Sequence, residues 1–156
     1  ICKKKAKYKT NYKVIKNIIR KEKKMKLESK KTYLNFFKQI NEVKSKLIKL
    51  LHSIILDNKI IHGYGASTKG NVILQYFGIN QKYIKFIADR NPNKFNHYTP
   101  GTKIKIISEK KSRKLSPDYY LVLPWHFKRE ILRREKLTIK RGSKFIFPFP
   151  KLNIYQ

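Results

Sequence analysis

The spacing of apolar residues predicts two helices followed by alternating strands and helices. From Asn11, a candidate N-cap, apolar residues recur every three or four positions, and from Thr32 the same spacing continues to Ile55. After Asp57, short apolar runs bounded by glycine, proline or serine replace that spacing, which is typical of buried strands. We predict strands over 59–62, 84–88, 103–107, 119–123 and 144–147, helices over 67–77 and 126–140, and a short helix capped by Ser108.

This order of elements predicts an α/β fold. Strands that alternate with helices through short connections form a mostly parallel sheet with helices on its faces. We therefore expect a Rossmann-like domain with about five strands, flanked by helices and preceded by N-terminal helices. We divide the chain into a remnant of a preceding domain (1–10), a helical segment (11–58), the Rossmann-like domain (59–150) and a tail (151–156), because the initial Ile-Cys without methionine resembles the start of a fragment.

Composition narrows the class of protein. Apolar residues make up 40% of the 156 residues, which is enough for a packed core. No apolar run reaches the roughly 18–20 residues that a membrane-spanning helix needs, and the first residues do not resemble a signal peptide. One cysteine cannot form an internal disulfide or a cysteine-rich metal site. We expect a cytoplasmic protein with no membrane partner.

The formal charge of +30 points toward nucleic acid, but its distribution weakens that interpretation. Basic residues are spread along the chain, and 32 of the 39 are lysine rather than arginine. Nucleic-acid sites favour arginine for its bidentate fork. The abundance of lysine and isoleucine supports the hypothesis that an AT-rich genome chose these codons. A solvated lysine surface is the favoured interpretation, and nucleic-acid binding is kept as the alternative.

The first motif with chemical meaning is GYGASTKG, Gly63 to Gly70, between a predicted strand and a predicted helix. Glycines permit a tight turn, and the start of a helix directs free N–H groups at an anion. Ser67 can add a hydroxyl donor and Lys69 a positive charge. The alternative is a glycine turn with an ordinary N-cap.

The second motif is ADRNPNK, in which Asp89 ends a predicted strand 24 residues after Gly65. A dinucleotide-binding unit places the acid that binds a ribose near this position. Asp89 and Asn91 would equally well build an Asx turn around Pro92, and both interpretations stay open.

The third motif is LVLPWHF, at the end of the predicted fourth strand. Ligands of open α/β sheets bind at the carboxyl ends of strands where the strand order reverses. Trp125 could stack on a base or pack against a partner, and His126 could donate to a phosphate or cap the helix. Packing is the commoner role for both.

The chain offers no evident catalytic machinery. His52, His62 and His97 lack a spacing that would gather them around a metal, and we predict no metal site. No pair of carboxylates, serine elbow or Cys–His pair is evident either, so we assign no catalytic residue.

Taken together, the three motifs resemble the C-terminal domain of the SAM-dependent sugar C-methyltransferases. The resemblance covers roughly residues 10–150, and the pair GYGASTKGN and DRNPNK…YTPGT carries it most specifically. It implies a domain that helps to close a cleft around a nucleoside-diphosphate deoxysugar. By position, the substrate-binding candidates are Gly63, Gly65, Ser67, Lys69, Asp89, Asn91, Trp125 and His126.

The resemblance also implies a division of labour. Family members carry a zinc-binding module and a SAM-binding domain, and the motifs of both are missing from this sequence. We therefore expect this chain to bind no cofactor itself, SAM being implied for the full-length enzyme, and to be inactive alone. Its expected partners are the nucleotide-sugar and a SAM-binding methyltransferase domain or subunit. A third alternative is an interaction subunit in which the helix over 32–55 docks a separate methyltransferase.

Overall fold

A computed structural model of the chain describes residues 9–156. Most of the predicted remnant at 1–10 thus lies outside the described residues. The chain divides into two compact units, with the boundary between Asn41 and Glu42. The second unit contains the sheet and all the motifs discussed above.

The described part of the first unit is helical, as predicted. Helix α1 spans Tyr12–Lys24, and its N-cap Asn11 accepts a hydrogen bond from the amide of Val14 at 3.2 Å. Helix α2 spans Lys30–Leu56 and continues into the second unit. It begins two residues before the predicted cap, because Thr32 donates its hydroxyl proton to the carbonyl of Lys26 instead of capping.

The second unit is built on a six-stranded, mostly parallel sheet. The strands are β1 (Ile61–Tyr64), β2 (Ile87–Asp89), β3 (Ile106–Ser108), β4 (Tyr119–Val122), β5 (Lys144–Phe147) and β6 (Asn153–Tyr155), in the order β3-β2-β1-β4-β5-β6. The first five run parallel, which confirms the predicted α/β fold. The sixth, within the predicted tail, pairs antiparallel with β5.

Four helices connect or follow these strands. They are α3 (Thr68–Phe77), α4 (Glu109–Lys114), α5 (Lys128–Arg134) and α6 (Lys136–Lys140). Ser108 caps α4 as predicted, and Gly78 ends α3 in the left-handed conformation. The prediction of one helix over 126–140 is wrong. A 3₁₀ turn at Trp125–Phe127 precedes α5, and the chain breaks again at Glu135, whose side chain is drawn into the interior.

The core of the second unit lies on both faces of the sheet. Leu47, Leu51 and Ile54 of α2 are buried, as are the apolar residues of the five parallel strands. Within the sheet, Gly63 allows β2 to approach closely, because a Cβ atom at this position would lie 2.7 Å from Cγ1 of Ile87. Among the described residues, no helix is long and apolar enough to span a membrane.

Candidate functional site

The three motifs meet at the carboxyl edge of the sheet. The strand order reverses between β1 and β4, so the connections after these strands leave in opposite directions and open a crevice, which is where open α/β sheets bind ligands. The turn after β1, the corner after β2 and the turn after β4 therefore share one edge.

The turn after β1 uses its own amides to hold its shape. The amide of Gly65 donates to the carbonyl of Ala88 at 2.7 Å, and the amide of Ser67 donates to the carbonyl of Gly65 at 2.8 Å. The amide of Ala66 donates to Oδ2 of Asp89 at 2.7 Å. These three N–H groups are already engaged within the protein.

The start of α3 presents the remaining donors. Ser67 caps the helix by accepting a hydrogen bond from the amide of Gly70 at 3.0 Å. Within residues 9–156, the amides of Thr68 and Lys69 have no hydrogen-bond acceptor, and both residues are exposed. Unpaired amides and the helix dipole together favour an anion at this end. The Lys69 side chain adds its positive charge nearby.

The corner after β2 fixes the turn after β1. Asp89 is buried, and its Oδ1 accepts a hydrogen bond from the amide of Asn91 at 2.8 Å. Lys94 reaches back to donate to the carbonyl of Ala66 at 2.9 Å and lies 3.3 Å from Oδ2 of Asp89. Asn91 in turn accepts from the amide of Asn93 at 3.0 Å. The Asx turn considered for this motif is therefore present.

A pocket of about 230 Å³ opens beside these segments, and we call it the switch-point pocket. Gly65 and Ser67 form one wall, and Pro124 and Phe127, after β4, form another. The pocket is also lined by Tyr64, Ala66, Asp89, Arg90, Lys94, Glu109, Glu130, Ile131 and Arg134.

Its charges are balanced, unlike those of the rest of the chain. Arg90, Lys94 and Arg134 line it together with the three carboxylates of Asp89, Glu109 and Glu130. The formal charge of the lining is therefore zero in a chain of +30. Paired carboxylates and cations suit a neutral, hydroxyl-rich ligand better than a bare polyanion.

A buried polar cluster supports the floor of this pocket. Glu135, 1% exposed, accepts hydrogen bonds from the hydroxyl of Tyr64 at 2.7 Å, from Nε of Arg113 at 2.9 Å and from Thr138 at 2.7 Å. Burial alone would raise the pKa of the Glu135 carboxyl, but the hydrogen bonds from Arg113, Thr138 and Tyr64 outweigh it and lower that pKa. Burial also raises the pKa of Tyr64, which stays neutral.

The same cluster orients Arg134 toward the pocket. Its Nη2 donates to the hydroxyl of Tyr64 at 2.6 Å and to Oε1 of Glu109 at 2.9 Å. Its Nε is buried and has no hydrogen-bond partner among the described residues. It lies 3.8 Å from Oε1 of Glu135, so Arg134 is paired with the buried carboxylate as well as with Glu109.

The structure brings three of the eight predicted site residues into the switch-point pocket and places the other five outside its lining. Gly65, Ser67 and Asp89 line the switch-point pocket, and Asn91 shapes the adjacent corner. Lys69 is exposed beside the start of α3, whereas Gly63 lies within β1. Trp125 and His126 occupy the 3₁₀ turn after Pro124. The Trp125 ring packs 5.2 Å from Phe149 and its edge faces His126, so packing is the role visible for both.

Sequence reasoning missed Tyr64, Glu109, Glu130 and Arg134. Tyr64 was within the glycine motif but was assigned no role. The other three lie in helices whose charged residues resemble an ordinary solvated face. A signal did exist for Glu109, because it directly follows the cap residue Ser108 and so had to lie at the carboxyl edge of β3.

The corner after β2 does not fit the adenosyl group of SAM. Asp89 is buried, its Oδ2 accepts hydrogen bonds from Ala66 and Lys94, and its Oδ1 accepts one from Asn91, so little acceptor capacity is left for ribose hydroxyls. Among residues 9–156, no group of three His, Cys, Asp or Glu side chains could hold a metal ion.

Comparison with known proteins identifies the family of the chain. Residues 1–150 match the family model described as C-methyltransferase C-terminal domain. The chain is 34% identical over 119 residues to the C-methyltransferase NovU of Streptomyces niveus, an alignment that covers 76% of this chain and 28% of that protein. The chain thus spans little more than a quarter of the length of this relative. It belongs to the C-methyltransferase C-terminal domain family.

Proposed function

We propose that this domain binds a nucleoside-diphosphate sugar at the carboxyl edge of its sheet. The observation that carries the proposal is the juxtaposition of the unpaired amides at the start of α3 with the switch-point pocket. The first suits a diphosphate, and the second suits the hydroxyl-bearing part of the same ligand. The two features share the Ala66–Ser67 turn, so one ligand can use both.

Each site residue has a distinct role in this proposal. Ser67 and Lys69 contact the diphosphate, together with the amides of Thr68 and Lys69. Asp89 and Asn91 act on the ligand mainly by fixing the turn, since their oxygens are hydrogen-bonded to the chain. Trp125 and His126 lie in the 3₁₀ turn after β4, and we propose that they contact the sugar at the periphery of the site.

We propose further that methyl transfer requires a SAM-binding domain or subunit outside these residues. Methyl transfer needs the donor sulfonium close to a nucleophilic sugar carbon, and the described residues offer neither a ribose-binding carboxylate nor an evident general base. The chain alone then binds the nucleotide-sugar but does not catalyse methyl transfer.

Calorimetric titration with a nucleoside-diphosphate sugar, at low and at physiological salt, tests the proposal. We expect saturable binding that weakens modestly with salt, because few phosphate charges are paired. Duplex DNA serves as the comparison ligand. Binding of DNA that is tight at low salt and lost at physiological salt, with no binding of the nucleotide-sugar, would support the nucleic-acid alternative and reject the proposal.

A second assay addresses the division of labour. The pure chain is incubated with SAM and the nucleotide-sugar, and methylated product is sought by mass spectrometry. No product is expected from the chain alone. Turnover would show that these residues hold a complete active site.

A further inference from the structure

A second pocket adjoins the Ala66–Ser67 turn. It has a volume of about 320 Å³, and we call it the α3-side pocket. It shares Ala66, Ser67 and Lys94 with the switch-point pocket, so the two pockets adjoin at this turn. Its other lining residues are Thr68, Asn71, Leu74, Asn93, His97, Tyr98, Thr99, Pro100, Ile106 and Leu123.

The lining of the α3-side pocket suits a flat ring. Leu74, Ile106 and Leu123 are buried residues that give it an apolar floor. Tyr98 is 57% exposed and offers an aromatic face. An apolar floor with an exposed aromatic ring is the usual environment of a stacked base.

An unsatisfied acceptor in this pocket points to a ligand with an N–H group. Asn71 lines the pocket, and its Oδ1 is buried with no hydrogen-bond partner among the described residues. A buried polar atom left unpaired is costly, and native proteins rarely keep one without a purpose. The ring N–H of a nucleobase is a donor of the required kind.

The charged residues of the two pockets also distinguish the two ends of the ligand. The switch-point pocket carries three carboxylates, which accept hydrogen bonds from sugar hydroxyls. The α3-side pocket is lined by no carboxylate, and its only Lys or Arg is Lys94. The hydroxyl-rich end of a nucleotide-sugar therefore fits the first pocket, and the aromatic end fits the second.

We propose that the α3-side pocket is the nucleobase subsite, with the sugar in the switch-point pocket and the diphosphate across the start of α3. This orientation rests on the proposed function. Tyr98 stacks on the base, and Asn71 accepts its N–H. The ligand bends around the Ala66–Ser67 turn, whose shape Asp89 and Lys94 fix from behind.

Binding of two ligands that differ only in the sugar tests the orientation. We measure uridine diphosphate and uridine-diphosphate glucose by calorimetry, with the thymidine pair in parallel. Tyr98→Ala should weaken both ligands of a pair by the same factor, about 5- to 100-fold, because the base is common to them. Asn71→Leu should likewise weaken both, and Tyr98→Phe should bind as the unaltered chain does.

Two controls make the result specific. Tyr33→Ala removes an aromatic ring of nearly the same exposure, 56%, from the first unit and should change neither affinity. Glu130→Gln alters the switch-point pocket and should weaken the sugar-bearing ligand about tenfold while leaving the diphosphate unchanged.

The outcomes separate this inference from the proposed function. If the unaltered chain binds neither ligand, the proposed function fails and the subsite fails with it. If the chain binds the nucleotide-sugar but Tyr98→Ala and Asn71→Leu leave both affinities unchanged, the subsite is wrong and the proposed function stands. If Tyr98→Ala weakens only the sugar-bearing ligand, the orientation is reversed and the inference is overturned.

Discussion

Gly65 lies directly against Pro124, which is the second residue after the end of β4. A Cβ atom at Gly65 would lie 2.7 Å from both Cδ and Cγ of Pro124, and the backbone of Gly65 has a φ of +81°. Gly65 is therefore needed for folding, because only a residue without a Cβ atom lets the turn after β1 contact the turn after β4. The pocket beside them depends on this contact.

Gly65→Ala should destabilise the fold through both effects. A positive φ costs a residue with a Cβ atom about 1–2 kcal/mol, and the clash with Pro124 adds to it. We expect the free energy of unfolding to fall by about 3 kcal/mol in urea titrations. Gly78→Ala is the matched control, because Gly78 has a φ of +74° but nothing within 4 Å of the added atom. Equal losses in the two variants would refute the role given to Pro124.

The glycine motif also shows how far the sequence was informative. The sequence predicts its position between strand and helix, the mostly parallel fold, and the position of the other two motifs at strand ends. The use of its amides was not predicted, because Asp89 and Ala88 are distant along the chain and reach the turn only through sheet pairing. Local patterns report periodicity and turns, whereas hydrogen bonds between loops depend on the tertiary fold.

The burial of Glu135 could not be predicted from the sequence. In the sequence it follows two arginines in a charged helical stretch, which is typical of a solvent-facing position. In the fold the helix breaks there, and the carboxylate is buried against Tyr64 and Arg113. Burial of a charge is decided by the partners available in three dimensions, and no spacing rule encodes them.

Substitutions of Thr68 test the amides at the start of α3. Thr68 is the first helical residue, where proline is tolerated, and Ser67 already has the extended backbone, ψ 153°, that proline requires of its predecessor. Thr68→Pro should remove one N–H and weaken nucleotide-sugar binding by about tenfold or more. Thr68→Ala keeps the amide and should bind within about twofold of the unaltered chain if the hydroxyl is a minor contact. If calorimetry finds the proline variant no weaker than the alanine variant, that amide does not contact the ligand.

Glu135→Gln should show that the buried cluster holds the pocket together. The change keeps the shape of the side chain but leaves Arg113 and Arg134 without the buried negative charge. Breaking a buried ion pair from one side costs about 3–5 kcal/mol, and we expect a loss near the lower value in urea titrations. Glu42→Gln removes a carboxylate from the exposed surface of α2 and should cost less than about 0.5 kcal/mol. A loss at Glu135 as small as the control would mean that the cluster adds little to stability.

His62 should make stability depend on pH between about 4 and 6.5. Burial lowers the pKa of His62 from 6.5 to about 4, so in this range the unfolded chain binds a proton that the folded chain does not. The stabilising effect is complete above pH 6.5 and is lost as the pH falls toward 4, by up to about 3 kcal/mol.

Urea titrations across that range measure this effect. His62→Gln should lower stability overall, because the ring packs against Phe86 and is hydrogen-bonded to Ser112, but should flatten the pH dependence between 4 and 6.5. His97→Gln, at an exposed histidine, should keep the slope of the unaltered chain. An unchanged slope in His62→Gln would assign the pH dependence to other groups.

The location of ligand binding is tested most directly by two-dimensional amide NMR of the isotope-labelled chain during titration with a nucleoside-diphosphate sugar. We predict that the largest shifts occur at Thr68, Lys69 and the residues around the two pockets, while Gly142 and Ser143, at the opposite edge of the sheet, stay unchanged. Shifts confined to that opposite edge, or none at saturating ligand, would contradict the account.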